Sequence, residues 1–343
     1  MLLVKAAVFY GAGKPLKIED VPTPKVGPND VLIKVAACGV CRTDLHYLHG
    51  TPTFKKPPLI LGHESSGTIT ELGSTVENWT KGDRVLIPAV LTCGFCDNCR
   101  LGRENVCQRQ EMVGNNIDGA YAEYIRVPAK DVLRIPDSLP LEETSIVADA
   151  ISTPYHAVKN RGEVRPGDLV AVFGCGGVGI NVVQLAVAAG GIVYAVDIDD
   201  KKLKLAKKLG ASFTINSKDE NPVKQIRAMT QKRGVDISFE AIGIPDVMSQ
   251  ALAVVKWGGR MVVVGYAESD WTVSASRIMY REVEIRGSLG CRPVDYPPLL
   301  RMVEQGIIQI EPLIDSKRPL EEINEAFKLL EEGKVLGRII VIP

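Results

Sequence analysis

Four cysteines fall within one short stretch, CGFCDNCRLGRENVC, as Cys93, Cys96, Cys99 and Cys107 in a C-x2-C-x2-C-x7-C spacing. One compact loop can turn thiolates that close in sequence toward a single tetrahedral cation, and zinc suits an all-sulfur set. Disulfides or a redox pair are the alternatives, but three cysteines at successive three-residue intervals fit a metal knuckle better. Four sulfurs leave no open coordination position, so this set is expected to hold a loop in shape rather than perform catalysis.

A looser set comprises Cys41 in CGVCRTDLH, His63 and Glu64 in LGHESSG, and Asp149 in VADAISTPYH. Each is weak alone, because a lone histidine is usually an ordinary core or surface side chain and Cys38 with Cys41 has redox-pair spacing. A third constellation is nucleotide-like. LVAVFGCGGVGINVVQ places Gly174, Gly176 and Gly179 as G-x-G-x-x-G after an apolar run and ahead of a helical pattern. Backbone amides and a helix N-terminus there can receive a pyrophosphate. Asp197 ends the next apolar run, eighteen positions after Gly179, where a carboxylate bonds adenine ribose hydroxyls and repels a 2′-phosphate. That arrangement favours NAD over NADP.

The elements that must position these residues differ in texture along the chain. Up to about residue 153, short alternating runs such as VLIKVAAC, GTITELG and DRVLIPAV are punctuated by Gly, Pro and Asn, which reads as a β-rich domain. From about residue 154 to 289, strands alternate with helical patterns: LVAVFGC, INVVQLAVAAG, IVYAVDI, KKLKLAKKLG, SFTIN, PVKQIRAMTQKRG, VDISFEAIG, VMSQALAVVKWGG, RMVVVGY and VEIRGSL. Such alternation implies an α/β domain with a parallel sheet covered on both faces. Helices are expected at Asp295–Gln305 and in LEEINEAFKLLEEG, followed by a last strand, GRIIVIP, that needs a sheet to join. Leu169 to Val196 contains no Asp, Glu, Lys or Arg and could be mistaken for a membrane span. Its six glycines break it into strand, turn, helix and strand, so a buried βαβ unit is the better reading.

A chain of 343 residues is long for one core and predicts two domains. Lys plus Arg and Asp plus Glu each total 41, so no global field points to nucleic acid or an anionic membrane, and the expected partner is a small molecule. Most of the eight cysteines crowd into two short segments. That pattern favours metal binding in a reducing cytoplasm over a disulfide framework. MLLVKAAVFY lacks the regions of a secretory signal. Cys175 and Cys291 suggest nothing beyond small buried side chains.

CGVCRTDLH, GHESSG, the four-cysteine lobe and the later G-x-G-x-x-G stand in the order and spacing of the zinc-containing medium-chain alcohol dehydrogenases, and the resemblance runs through Gly337-Arg338. It implies a discontinuous catalytic domain, residues 1–153 with 290–343, built as a partly open, GroES-like β-barrel. A doubly wound Rossmann domain for NAD would occupy 154–289. It makes Cys41 and His63 ligands of a catalytic zinc and puts Asp149 where most members carry cysteine and some aspartate. Glu64 resembles the family's glutamate beside the metal, a support or an alternate ligand, and Asp44 the carboxylate holding His63. Thr43 and His46 resemble the proton relay, Lys202 a residue near the adenosine ribose, and Arg42 and Arg338 residues reaching the pyrophosphate. The implied chemistry is Lewis-acid activation of an alcohol whose hydride passes to NAD. The resemblance also implies a homotetramer or dimer.

IPAVLTCGFC, VADAISTPYHAV and MVGNNIDGAYAEY further resemble dehydrogenases of a hydroxylated cyclohexene-carbonyl-CoA thioester. That substrate stands as the alternative to simple primary or secondary alcohols. Readings of other classes are a zinc-free quinone or enoyl reductase and a non-catalytic NAD-binding sensor. The first would lack Cys41, His63 and the cysteine lobe, and the second would be expected to lose a ligand or the relay.

Overall fold

The computed structural model describes residues 3–343, which divide into two compact units, 3–152 with Gly290–Pro343 and Thr153–Leu289.

The first unit is built on largely antiparallel sheets. Its central strand, Asp30–Gly39, is buried along nearly its whole length and pairs with Ser65–Leu72, Tyr124–Pro128 and Arg338–Ile342. The carboxy-terminal strand therefore completes a sheet begun near the amino terminus. It runs antiparallel to Asp30–Gly39 and parallel to Ile314–Pro319. Apolar side chains from these strands, among them Ile33, Ile69, Ile125, Ile339 and Val341, form one core with Phe327 of the helix Ile323–Glu331. That helix and Tyr296–Glu304 occupy the two carboxy-terminal segments expected to be helical.

The second unit is a six-stranded, all-parallel sheet. In chain order its strands are Leu169–Phe173, Ile192–Asp197, Phe213–Asn216, Val235–Glu240, Val255–Val263 and Glu284–Gly287. They lie side by side in the order third, second, first, fourth, fifth, sixth. The order reverses between the first and fourth strands, and the crevice at such a switch point is where doubly wound sheets take nucleotides. The charge-free run resolves into the strand Leu169–Phe173, the almost wholly buried helix Gly179–Ala188 and the strand Ile192–Asp197. Among the described residues no helix is long and apolar enough to cross a membrane.

One boundary departs from the pattern reading. VMSQALAVVKWGG is not helical throughout: the helix Pro245–Val254 stops and the strand Val255–Val263 takes over VKWGG. A β-branched valine and the Gly258-Gly259 pair are poor helix continuers, and pairing of Val255 with Val235 captures the segment for the sheet.

Candidate active site

Strand register delivers the first set of residues. Cys38 pairs with Ser65 in one neighbour of the central strand and with Val341 in the other. The ends of three strands therefore carry Cys41, His63 with Glu64, and Arg338 into one place. Backbone bonds tie the ends: Gly39 N–H donates to the Glu64 carbonyl at 2.8 Å and Val40 N–H to the Ile339 carbonyl at 2.9 Å. Asp149 comes from elsewhere, at the end of the 3-10 turn Glu143–Ala148.

The Cys41 Sγ and His63 Nε2 atoms each lie 3.7 Å from Asp149 Oδ2, and one ligand atom from each of the three residues falls within 4.8 Å of the others. Tetrahedral zinc with sulfur at about 2.3 Å and nitrogen or oxygen at about 2.0–2.2 Å separates neighbouring donors by roughly 3.3–3.8 Å, so the spacing suits that ion. The electrostatics agree. Burial alone opposes a charge on His63, but Asp44, Asp149 and Cys41 carry its pKa well above the ordinary imidazole value. This buried, anion-rich pocket calls for positive charge, which a divalent cation supplies.

Asp44 stands on the other side of the ring, Oδ1 3.4 Å from His63 Nδ1, with both side chains buried. Its Oδ2 accepts a 2.8 Å bond from the hydroxyl of Tyr121. That hydroxyl also lies 3.2 Å from the Gly39 carbonyl oxygen. Tyr121 is a functional neighbour that the motifs did not reveal; it is fully buried and packs edge-on against Phe327.

Glu64 is turned away from the three-donor cluster. Its Oε2 lies 2.9 Å from Arg338 Nε, and its Oε1 accepts the Ala150 N–H at 3.1 Å. Burial raises its pKa to about 7, with Arg338 acting against that shift and Asp149 with it. The resemblance placed Arg338 at a pyrophosphate; its guanidinium is buried, paired with Glu64 and 3.8 Å from Asp149 Oδ2. Thr43 and His46 sit three residues apart on the helix Arg42–His49, both half-buried, while Arg42 is exposed. Thr43 Oγ1 is 3.6 Å from Cys41 Sγ.

In the same unit the four-cysteine lobe closes around its own sulfurs. Sγ–Sγ separations are 3.5 Å for Cys96–Cys99 and Cys93–Cys107 and 3.8 Å for Cys93–Cys99 and Cys96–Cys107. Disulfide sulfurs sit at about 2.05 Å, whereas a tetrahedron of sulfurs about 2.3 Å from zinc has edges of roughly 3.8 Å. Backbone amides of Cys93, Cys96 and Arg109 point at these sulfurs at 3.3–3.4 Å. Amides of Cys99 and Gln108 lower Cys96 to about 6, while burial pushes Cys99 to about 12. Zinc takes its sulfur ligands as thiolates, so a bound cation would offset the burial that opposes ionisation of Cys99. The cysteines are also what this lobe mainly buries, so the ion would take the place of a core.

In the second unit, Gly174 turns the chain out of its strand at a φ of 92°. A β-carbon on Gly179 would collide with the Gly174 carbonyl, whereas one on Gly176 would meet only open space. The turn is thus packed from behind and open in front, as a phosphate cradle requires. Asp197 accepts N–H bonds from Cys175 at 2.7 Å, Ile198 at 2.7 Å and Asp199 at 3.0 Å. The carboxylate expected to meet the ribose therefore also fastens the glycine-rich turn to the second strand. Lys202, on the helix Asp200–Lys208, is half-buried and close enough to Cys175 to act on its thiol electrostatically.

Sequence comparison agrees with this geometry. The profile of the alcohol dehydrogenase GroES-like domain matches residues 27–137 and that of the zinc-binding dehydrogenases matches 177–305. An alcohol dehydrogenase of Geobacillus stearothermophilus is 41% identical over 98% of both chains. The NAD-dependent alcohol dehydrogenase of Sulfurisphaera tokodaii is 35% identical, over 99% of this chain and 100% of its own. Among solved structures, the alcohol dehydrogenase of Aeropyrum pernix superimposes with a TM-score of 0.90 at 36% identity, covering 99% of this chain and 100% of its own. With two donor sets spaced for zinc, a glycine-rich nucleotide turn and full-length relatives of this kind, the chain belongs to the zinc-containing medium-chain alcohol dehydrogenases and is a zinc-dependent oxidoreductase acting on CH–OH groups.

Proposed function

We propose that Cys41, His63 and Asp149 hold the catalytic zinc, that Cys93, Cys96, Cys99 and Cys107 hold a structural zinc, and that the enzyme oxidises alcohols with NAD. The convergence of a thiol, an imidazole and a carboxylate on one buried point, with Asp149 Oδ2 3.7 Å from both other donors, carries this reading. Three protein donors leave a coordination position for substrate. When bound, the zinc supplies a Lewis acid to the alcohol oxygen, and NAD supplies the hydride acceptor.

The chain's own residues then divide the remaining work. The Thr43 hydroxyl, beside the donor set, would accept the alcohol's proton while giving up its own, and His46, three residues along the same helix, would carry that proton outward. Asp44, held by Tyr121, keeps the proton of His63 on Nδ1, so that Nε2 offers its lone pair. Glu64 supports the site from behind by pairing with Arg338, and it would serve as an alternate ligand only by leaving that pair. Asp197 spends three of about four lone-pair positions on backbone amides. What is left serves a ribose hydroxyl and repels a 2′-phosphate. Gly174, Gly176 and Gly179 receive the pyrophosphate, and Lys202 serves the adenosine side of the same turn.

Substrates are simple primary or secondary alcohols and their carbonyl partners, with a hydroxylated cyclic acyl-CoA thioester as the competing candidate. The enzyme works in the cytoplasm as a homo-oligomer, a tetramer or dimer, without nucleic acid or membrane partners. Metal analysis combined with an NADH-formation screen over alcohols and hydroxyacyl-CoA thioesters tests this. About two zinc ions per chain and alcohol-dependent NADH formation are expected; full activity with one zinc or none overturns it.

A further inference from the structure

We propose that Tyr296 is a positioning residue for Asp149, acting through the carbonyl of Ala148, and so sets how firmly the catalytic zinc is held. The inference deepens the assignment of Asp149 as a ligand and rests on it.

Asp149 lies between two peptide groups, and each is pinned by a buried side chain. On its carboxyl side, the Ala150 N–H donates to Glu64 Oε1 at 3.1 Å. On its amino side, the Ala148 carbonyl accepts a 2.9 Å bond from the Tyr296 hydroxyl. Ser152 Oγ lies 3.0 Å from the same carbonyl oxygen and 3.3 Å from the Tyr296 hydroxyl. The three oxygens thus make a closed group next to the proposed ligand. Ala148 is the last residue of a 3-10 turn, and Asp149 leaves helical geometry at φ −141° and ψ −59°. Carbonyls at such an end lack partners within the turn, and a buried one must find a donor elsewhere. Ser152 donates from four residues along the chain, and Tyr296 adds a second donor from a distant segment, which ties the tilt of the peptide plane from which the Asp149 side chain departs to the fold around it.

The segment carrying Tyr296 is itself built to hold still. Arg292 grips Asp295 with a two-pronged pair, Nε to Oδ2 at 2.8 Å and Nη2 to Oδ1 at 3.0 Å. That pair braces the turn Pro293–Asp295. The helix Tyr296–Glu304 follows at once, with Pro297 and Pro298 in its first turn, where their missing N–H groups cost nothing. Leu299, Leu300 and Val303 bury its inner face, and the Tyr296 ring is 3% exposed. Burial raises the Tyr296 pKa well above the ordinary phenol value, with Cys291 and Asp149 adding to it. The hydroxyl therefore stays protonated and able to donate.

Tyr296→Phe keeps the ring and removes the donor. Zinc retention at each site is to be measured by competition with a chromophoric chelator on the zinc-loaded full-length protein, with the absorption bands of the cobalt-substituted protein as a second readout. Asp149→Ala is measured in parallel. Tyr296→Phe should weaken the catalytic site by about 10-fold, the lower end of what outer supports of a metal site contribute. It should also shift the cobalt bands while the four-cysteine site stays as tight as before. Unchanged chelator competition and unchanged cobalt bands in Tyr296→Phe, with zinc lost in Asp149→Ala, overturn the positioning role and leave the ligand assignment standing. Zinc retained in Asp149→Ala overturns both. Equal loosening of both metal sites would mark general destabilisation and also overturns the proposal.

Discussion

Arg338 and Glu64 form a buried ion pair, Nε to Oε2 at 2.9 Å, with side-chain exposures of 4% and 0%. It joins the last strand of the chain to the residue following His63. Because the other Glu64 oxygen accepts the Ala150 N–H, the pair also reaches the segment carrying Asp149. Removing one partner of a buried pair leaves the other charge uncompensated, at a cost of about 3–5 kcal/mol. Arg338→Met should therefore lower unfolding stability by about 3 kcal/mol, and Arg338→Met with Glu64→Met together should recover part of that loss. Denaturant unfolding of the zinc-loaded variants checks this, and a single-variant loss below about 1 kcal/mol would make the pair incidental.

Tyr121→Phe removes the hydroxyl that holds Asp44 Oδ2 at 2.8 Å. Asp44 in turn steadies His63, so the change should cost about 10-fold in turnover or zinc affinity with little change in coenzyme KM. Steady-state kinetics with parallel metal analysis would show it. Wild-type kcat and zinc affinity would mean that Asp44 needs no such support.

Asp197→Gly should narrow the preference for NAD over NADP, since the carboxylate that repels the extra phosphate is gone. It should also destabilise the protein by roughly 1–3 kcal/mol, because the three backbone N–H groups it accepts lose their partner. The ratio of kcat/KM for the two coenzymes measures the first effect. An unmodified enzyme that already favours NADP would remove Asp197 from the coenzyme site.

His46→Gln should slow alcohol oxidation most at low pH, where proton release is least favourable, and leave zinc content unchanged. The pH profile of kcat is the readout. A profile identical to that of the parent would make His46 an ordinary half-buried helix residue.

The parts of the site legible in the sequence are those whose geometry is local. The four-cysteine lobe spans Cys93 to Cys107, and the nucleotide turn Gly174 to Gly179, so spacing alone constrains how each can fold. Cys41, His63 and Asp149 have no such spacing; only the order of the motifs around them, through a family resemblance, brought them together. The supports were not legible. Tyr121 meets Asp44 across 77 positions and Tyr296 meets Ala148 across 148, and a buried tyrosine leaves no periodic or compositional mark of its partner. Arg338 shows the same limit, since the resemblance suggested a phosphate and said nothing of Glu64. In the fold, alternation of strands and helices carried the parallel sheet. The helix boundary near Val254 escaped it because pairing of Val255 with Val235 is a tertiary choice.

Zinc content together with turnover in Asp149→Ala, read beside Glu64→Ala, shows whether Asp149 completes the catalytic donor set with Cys41 and His63. A fall from about two zinc ions per chain toward about one is expected, with the four-cysteine site still filled and turnover largely abolished. Asp149→Cys should keep more of both, because a thiolate is also a competent zinc donor. Full zinc and near-normal turnover in Asp149→Ala, with zinc lost instead in Glu64→Ala, would remove Asp149 from the donor set and give the third position to Glu64.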